Sequence, residues 1–447
     1  LHIISEFGSV EKMKWQYITP DENGDWINRR NPKYYSLIAL GDKKKREQCS
    51  FFNANYSMGI SSNRDVWVYN FDANRRDAEA MVDYYNDELN RCKAEFADVV
   101  AQGKVAAAPK ARAAFYSNAR SLDATKISWS RGLLNTFCAD KYIEHTDDYR
   151  LAMHRPFCKK HLYFSTDLID YPSKWPSVFP TSATENLVMC VSGAPLKRPF
   201  GALMTDCIQE YHLLENAQCF PLYIYEKEES KESAQLSFEN MTEGESVTWH
   251  KRSTISDAVL SKYQETYGER VTREDIFYYV YAVFHSRDYV AEYSDNLSKE
   301  GPRIPKLANF PEYVKIGRAL ADLHLHYEEP VTAAEIGVTV DMRTEDYTIV
   351  DKMRFGKGKD KSIIEYNPYI TIRDIPVAAY DYIVNGKSAI EWIVEQYAVT
   401  TDKASGIVND PNTYAGGKYV FDLLLSIISV SLKTQELIAQ LPEYKEI

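Results

Sequence analysis

Apolar residues recur at three- and four-residue steps in several parts of the chain and alternate with polar ones in others, so the period itself separates helices from strands. In "NRRDAEAMVDYYNDELNRCKAEFADVV" (74 to 100), Met81, Tyr84, Tyr85 and Leu89 fall along one stripe, which predicts an amphipathic helix. In "TREDIFYYVYAVFHSRDYVAEYSDNLSKEGPRIP" (272 to 305), Ile276, Val280, Val283 and Phe284 share one side. Thr272 with Asp275 three residues on is a variant capping box, and Gly301 and Pro302 are a stop. At this spacing Tyr278, Tyr279, Tyr281 and Tyr289 are expected to pack as scaffold, not to offer a ligand surface. Arg303, between Pro302 and Pro305, is expected in a rigid exposed turn. The segment "IPVAAYDYIVNGKSAIEWIVEQY" (375 to 397) reads as helix, tight turn at Asn385-Gly386, and a second helix opened by Ser388, a form open to a helix-turn-helix reading with Lys387 near a duplex. Helices are expected over 255 to 300, about 309 to 326, 375 to 398 and 413 to 441.

The runs "LYFSTDL", "ENLVMCVSG" and "CFPLYIYE" between 155 and 225 are short, β-rich and punctuated by Pro and Gly, and 331 to 372 is also β-like. The expected class is α+β: a two-lobed mixed α/β protein whose C-terminal lobe is helix-rich. The expected divisions are a connector over 1–48 ending in the charged knot "GDKKKREQC", an N-terminal lobe over 49–225, an acidic linker over 226–249 and a helical lobe over 250–447. A start at "LHIISEFGS" reads as the middle of a pattern and suggests a fragment.

With 447 residues there is length for two or three cores, and an aromatic fraction of 13% with 33 tyrosines fits folded domains with large, partly polar contact surfaces. The seven cysteines make no C-x-x-C pair, so a disulfide framework or zinc ribbon is not expected. No apolar run reaches the length of a membrane span, and the first residues lack signal-peptide order, so a cytoplasmic location is expected. A net charge of −11 argues against indiscriminate polyanion binding. The charge is uneven, however. Residues 226 to 245 hold seven acids against two lysines, whereas 100 to 132 hold six basic residues and one acid, 150 to 163 four and none, and 352 to 361 five and one. Three basic stretches in an acidic chain fit a confined nucleic-acid groove, and equally fit solvated faces.

Catalysis has no visible home. "HRPFCKKH" spaces His154, Cys158 and His161 like ligands, and "LHLHY" adds His324 and His326, but neither cluster has the adjacent pair that a four-ligand zinc site needs. "FGKGKDK" (355 to 361) lacks phosphate-loop spacing and suits a mobile basic loop on a phosphate backbone. "NPKY" (31 to 34) and "NPYI" (367 to 370) lack the second proline of the element with which amino methyltransferases hold a flipped base, and there is no glycine-rich methyl-donor loop. No Ser, His and Asp arrangement with an elbow motif is present.

Several segments, in order, closely resemble the C-terminal part of type ISP restriction-modification enzymes: "WQYITPDENGDWINRR" (15 to 30), "YSMGISSNRDVWVYNF" (56 to 71), "ISWSRGL" (127 to 133), "HRPFCKKHLYF" (154 to 164), "ENLVMCVSG" (185 to 193), "FGALMTD" (200 to 206), "CFPLYIYE" (219 to 226), "EDIFYYVYAVFHS" (274 to 286), "YDYIVNGKSAIEWI" (380 to 393) and "SGIVNDPN" (405 to 412). These single-chain enzymes join a nuclease, a helicase-like translocase, an adenine-N6 methyltransferase and a target recognition domain. The resemblance spans nearly the whole chain and implies a duplex-DNA recognition module lying past the methyltransferase core. Such a piece would itself neither cut, translocate nor methylate. Its partners would be double-stranded DNA and the upstream methyltransferase and helicase domains. S-adenosylmethionine, ATP and Mg would belong to the parent enzyme and none to this piece. The alternative is a non-catalytic scaffold docking methyltransferase to motor.

"GISSNRD" resembles the entry motif of recognition regions in related adenine methyltransferases, which implies a DNA-proximal role for Ser61, Asn63 and Arg64. The basic stretches separately nominate Arg131, Arg155, Lys159, Lys160, Lys197, Arg198, Arg354, Lys357 and Lys359, as guanine readers or phosphate anchors. Readout is expected from loops of the 49–225 lobe, with the helical lobe closing around the duplex.

Overall fold

The computed structural model describes residues 8–13, 15–44, 46–101, 109–227 and 248–447, and over these the chain is a mixed α+β protein. Most of the acidic linker and residues 102–108 of the first basic stretch lie outside the described residues. Eight strands between residues 57 and 221 are β1 (Ser57–Met58), β2 (Tyr69–Asn70), β3 (Tyr149–Arg155), β4 (Cys158–Tyr163), β5 (Val188–Val191), β6 (Ala202–Thr205), β7 (Ile208–Gln209) and β8 (Gln218–Pro221). They form two sheets, one in the order β2-β4-β3-β7 and the other β1-β8-β5-β6. All pairings are antiparallel except β3 with β7.

The second of these sheets is covered on both faces, which explains why β5 reads "VMCV" with no polar alternation. Successive side chains of a strand point to opposite faces. Val188, Cys190, Leu203 and Cys219 therefore enter one core, while Met189, Val191, Ala202, Met204 and Phe220 enter the other. The first core joins sheet β2-β4-β3-β7 to helices α1 (Asp77–Ala101) and α2 (Arg131–Cys138); Met81, Tyr85 and Leu89 of the predicted stripe are buried there. The second core is built on α3 (Arg273–His285) and α4 (Phe310–Leu325). Each core draws on residues before and after the acidic segment: the first on 60–219 and 327–430, the second on 34–52, 189–222 and 255–321. Residues 38–39, within the expected connector, pair antiparallel with 303–304, and Tyr34 and Leu40 are buried in the second core.

Helix α3 starts with the capping box read from Thr272 and Asp275, both halves of which are made. It stops earlier than the Gly301-Pro302 signal suggests. Ser286 turns extended at the end of α3, and its hydroxyl accepts the Tyr289 N–H, opening a short new helix over Arg287–Glu292. The tyrosine row is scaffold. Tyr279 Oη donates to the Pro305 carbonyl at 2.8 Å and accepts the Leu307 N–H at 3.1 Å, and Tyr289 Oη donates to the Arg303 carbonyl at 2.7 Å. Arg303 itself is mostly covered, donating to the Leu37 carbonyl at 3.0 Å and pairing with Glu47, because Arg303–Ile304 runs as a strand against 38–39 and not as a free turn.

The 375–397 segment also departs from its pattern. Asn385 and Gly386 both take left-handed φ, 51° and 78°, which is the geometry of a two-residue hairpin turn. Ile383–Val384 accordingly pairs with Lys387–Ser388, and only one 3-10 turn, Val377–Tyr380, precedes it. The second predicted helix is present as α5 (Ala389–Gln396), with a complete Ser388–Glu391 capping box. The first is absent, so the segment is not a helix-turn-helix, and Lys387 pairs with Glu395 of α5. Further along the chain are a four-stranded antiparallel sheet formed by 339–342, 354–356, 360–365 and 370–373 and a long helix α6 (Tyr419–Ala439).

Helices α3 and α4 approach closely because position 317 is glycine. A Cβ there would sit 2.0 Å from the Tyr278 carbonyl oxygen and 3.2 Å from Ala282 Cβ. Gly317→Ala is expected to lower the unfolding free energy by about 1–3 kcal/mol, while Gly417→Ala, with nothing within 4 Å, changes it by less than about 0.5 kcal/mol. Denaturant titration of the two variants checks this, and equal effects would mean that the helix crossing tolerates a side chain.

Candidate nucleic-acid interface

The stretch "GISSNRD" is built into a fixed place by its backbone. Gly59 lies against the chain at Glu210–Tyr211, where a Cβ would come within 2.6 Å of backbone atoms. Ile60 donates to the Gln209 carbonyl at 2.8 Å and accepts the Tyr211 N–H at 2.9 Å. Ser61 and Tyr171 exchange N–H to carbonyl bonds at 3.3 and 3.0 Å. Asn63 then takes φ of 56°, a left-handed conformation that asparagine tolerates better than most residues. Its side chain is exposed, and Nδ2 donates to Asp170 Oδ2 at 2.7 Å.

Arg64 turns inward, and its side chain has no exposed surface. Its guanidinium donates to the carbonyls of Ser62 and Leu168, to Ser130 Oγ at 2.5 Å and to Asp170 Oδ1 at 3.1 Å. Asp170 also accepts from Ser130 Oγ at 2.9 Å. One carboxylate thus gathers Asn63, Arg64 and the N-cap serine of α2, and the guanidinium satisfies the rest of its donors on carbonyls, as a buried charge requires. Gly132 leaves room for this carboxylate, since a Cβ there would lie 2.8 Å from Asp170 Oδ1. The side chain of Arg64, for which a DNA-proximal role is expected, is thus buried, and all its donors face protein and hold the loop. Arg131, the residue after the cap, is exposed and has no ion pair among the described residues.

A second polar group adjoins the first. Asp65, held by Ser62 Oγ, faces His154 Nε2 at 3.6 Å. Burial, with the nearby Lys160 and Arg155 charges, pushes the His154 imidazole down to about 3, so it stays neutral at ordinary pH. Arg155 Nη1 donates to Glu210 Oε2 at 2.6 Å, and His212 Nδ1 meets Glu210 Oε1 at 2.7 Å. Glu210 is 1% exposed while the His212 side chain is 59% exposed. The hydrogen bond to Glu210 raises the His212 pKa, favouring a cationic ring at the surface. Lys160 lies over the Phe71 ring at 4.8 Å, and burial lowers its pKa.

Of the sequence-nominated residues, Ser61, Asn63, Arg64, Arg131, Arg155 and Lys160 are therefore brought together. Lys159, on the other side of β4, pairs with Glu328 at 2.6 Å. Lys197 and Arg198 are exposed on another loop, where Arg198 Nη1 donates to the Asn385 carbonyl at 3.1 Å. Arg354 pairs with Asp351 at 2.7 Å, and Lys357 and Lys359 are exposed at the turn of the 354–365 hairpin. The stretch 150–163 is accordingly not a free basic row: Arg150 pairs with Asp148, Arg155 with Glu210 and Lys159 with Glu328. Its histidine and cysteine spacing does not make a metal site either; among the described residues no group of three or more His, Cys, Asp or Glu is placed to hold an ion. Asp170, Glu210, His212 and the 63% exposed Tyr171 were not nominated from the sequence. Only the Ser130 cap, just before an apolar helical pattern, carried a local signal.

A rigid α+β scaffold that presents Asn63, Arg131, Tyr171 and His212 around internally neutralised charges has the form of a recognition domain. Residues 51–423 match the family model of the type ISP C-terminal specificity domain, and the chain belongs to that family. Among solved structures, the chain is similar over 100% of its length to a nuclease-deletion mutant of the type ISP restriction-modification enzyme LlaGI in complex with a DNA substrate mimic, with 35% identity and a TM-score of 0.80. It is equally similar to the ATP-dependent type ISP restriction-modification enzyme LlaBIII bound to DNA, with 34% identity and a TM-score of 0.81. A cryo-EM structure of a DrdV–DNA complex matches 97% of the chain at 25% identity with a TM-score of 0.75. The chain covers 32%, 27% and 41% of the lengths of these three proteins. No curated protein matches it. Among the described residues, no helix is long and apolar enough to cross a membrane.

Removing the shared carboxylate tests the site's construction. Asp170→Ala leaves the buried guanidinium without its counter-charge and is expected to lower the unfolding free energy by about 3–5 kcal/mol. Arg131→Ala, exposed and without an ion pair among the described residues, changes it by less than about 0.5 kcal/mol. Urea titration distinguishes them; a mild Asp170→Ala would show that the network does not organise this loop.

Proposed function

We propose that this chain is the part of a type ISP restriction-modification enzyme that recognises a duplex DNA target, and that it supplies specificity to adenine methylation and translocation-coupled cleavage carried out by upstream domains. The observation that carries this reading is the whole-length similarity to enzymes solved with DNA, together with membership of the specificity-domain family. The chain has no catalytic part in this scheme. S-adenosylmethionine, ATP and Mg would be bound by the methyltransferase and motor domains of the longer protein.

Asn63 and Arg131 are the residues we assign to base readout. Asparagine can pair bidentately with adenine and arginine with guanine, and each good pair discriminates by about 1–3 kcal/mol. The Nδ2 bond from Asn63 to Asp170 uses one amide hydrogen, leaving the other hydrogen and the carbonyl oxygen for a base edge. Lys197, Arg198, Lys357 and Lys359 suit phosphate contacts, which need only reachable charge.

Selection from a randomised duplex pool at near-physiological salt, followed by sequencing, tests the reading, run on this chain and on the intact enzyme. A short asymmetric motif enriched by the intact enzyme and blurred at one position by Asn63→Ala or Arg131→Ala is the expected result. Absence of DNA binding at any salt would overturn it in favour of a scaffold that docks the methyltransferase to the motor.

A further inference from the structure

The charged knot "GDKKKREQC" is not part of the readout cluster, yet it forms a distinct place in the fold. Residues 39–44, 46–47, Tyr56, Ala194, Gln218, Phe220 and 300–303 enclose a basin of about 560 Å³. Asp42, Glu47 and Glu300 are the acids in its wall, and each already has partners. Asp42 accepts the backbone N–H groups of Lys44 and Glu47 at 3.1 and 2.7 Å, Glu47 pairs with Arg303, and Glu300 accepts from Tyr35 Oη at 3.0 Å. Lys43, Lys44 and Arg46 make no ion pair among the described residues. Lys43 Nζ sits 4.3 Å from the centre of the Tyr56 ring, which is itself stacked on Phe220 at 4.7 Å. Partial desolvation there and the charge of Lys174 hold the Lys43 pKa below the ordinary lysine value. Lys43 and Lys174 therefore repel each other beside the Tyr56 ring, and an anion would relieve them.

We propose that this basin is an anchor for a backbone phosphate of duplex DNA flanking the recognised sequence. The inference rests on the reading of the chain as a duplex-binding module and adds a contact that the specificity residues do not provide. Its position supports this ligand. The chain leaves the basin at Tyr56 and reaches Ser61 five residues later, a span of at most about 17 Å at about 3.4 Å per residue. Successive phosphates of one strand are about 3.4 Å apart along the helix axis, so the anchored phosphate lies within about five base-pair steps of the readout loop. Lys174 strengthens the link, because it stands three residues after Tyr171 and its backbone N–H donates to Ser57 Oγ at 3.1 Å. The ring beneath Lys43 fixes the ammonium position without neutralising it, as a cation over an aromatic face does.

The test is the salt dependence of duplex binding by the intact enzyme carrying Lys43→Ala, Lys44→Ala and Arg46→Ala together. Removing a phosphate contact flattens the slope of log K against log salt concentration by about 0.9 per contact on B-form DNA. The expected result is a flattening of at least that size, with target and non-target duplexes weakened by the same factor and the enriched motif unchanged. A matched variant, Lys315→Ala with Lys433→Ala, removes exposed charge from α4 and α6 and is expected to leave the slope as it was. A slope unchanged in the basin variant, with the unmodified enzyme still binding its target, overturns the anchor and leaves the recognition reading intact. A loss confined to one base position would also overturn it, since a phosphate anchor carries no sequence information. Failure of the unmodified enzyme to bind any duplex would remove both.

Discussion

A sheet buried on both faces is the constraint on which this fold depends. Strands β5, β6 and β8 send alternate side chains into two different cores, so a shift of register by one residue would exchange the contents of both. Val188 and Cys190 could not trade places with Met189 and Val191 without repacking α3 and α4 on one side and β3, β4 and α1 on the other. The sheet also ties together segments on either side of the acidic segment. Elements from before and after it are needed to finish each core, and residues 34–40 reach forward to close the second.

On this frame the candidate site is held by electrostatics more than by packing. Asp170 and Arg64 are both buried, and their pairing joins the 59–65 loop, the start of α2 and the turn before Tyr171. A buried pair of this kind contributes little net stability against an apolar replacement, but it is costly to break and it fixes geometry. Glu210 does the same for Arg155 and His212. Charges that composition alone would assign to phosphates are used to position their neighbours, and the residues left at the surface are few: Asn63, Arg131, Tyr171 and His212. A readout loop with few free charges suits selective contact better than indiscriminate attraction, in keeping with a chain of net charge −11.

Much of the scaffold was legible because its signals are local. The stripe of α1, the Thr272 and Ser388 capping boxes and the tyrosine row of α3 follow from periodicity and cap chemistry within a few residues. The failures are also instructive. Asn385-Gly386 was read as the joint of two helices, but two consecutive left-handed residues fit a hairpin turn, and the β-branched pair Ile383–Val384 favours a strand before it. The early end of α3 depends on one hydroxyl, Ser286, which looks like any other serine in the sequence. For the site, the family resemblance of GISSNRD singled out the loop that the Arg64–Asp170 pair organises. What each residue does there could not be read, because Arg64 is buried by Asp170, a residue 106 positions away. Asp170 is one of 64 acids with nothing in its surroundings to mark it.

The central claim is that the loop organised by the Arg64–Asp170 pair is the surface that meets the target. Hydrogen exchange of the intact enzyme, with target duplex and with a duplex of scrambled sequence, tests it most directly. The account predicts that amides of residues 59–65, 128–133 and 209–212 exchange more slowly with the target than with the scrambled duplex. Equal protection with both, or target-specific protection confined to the 354–365 hairpin, would contradict it.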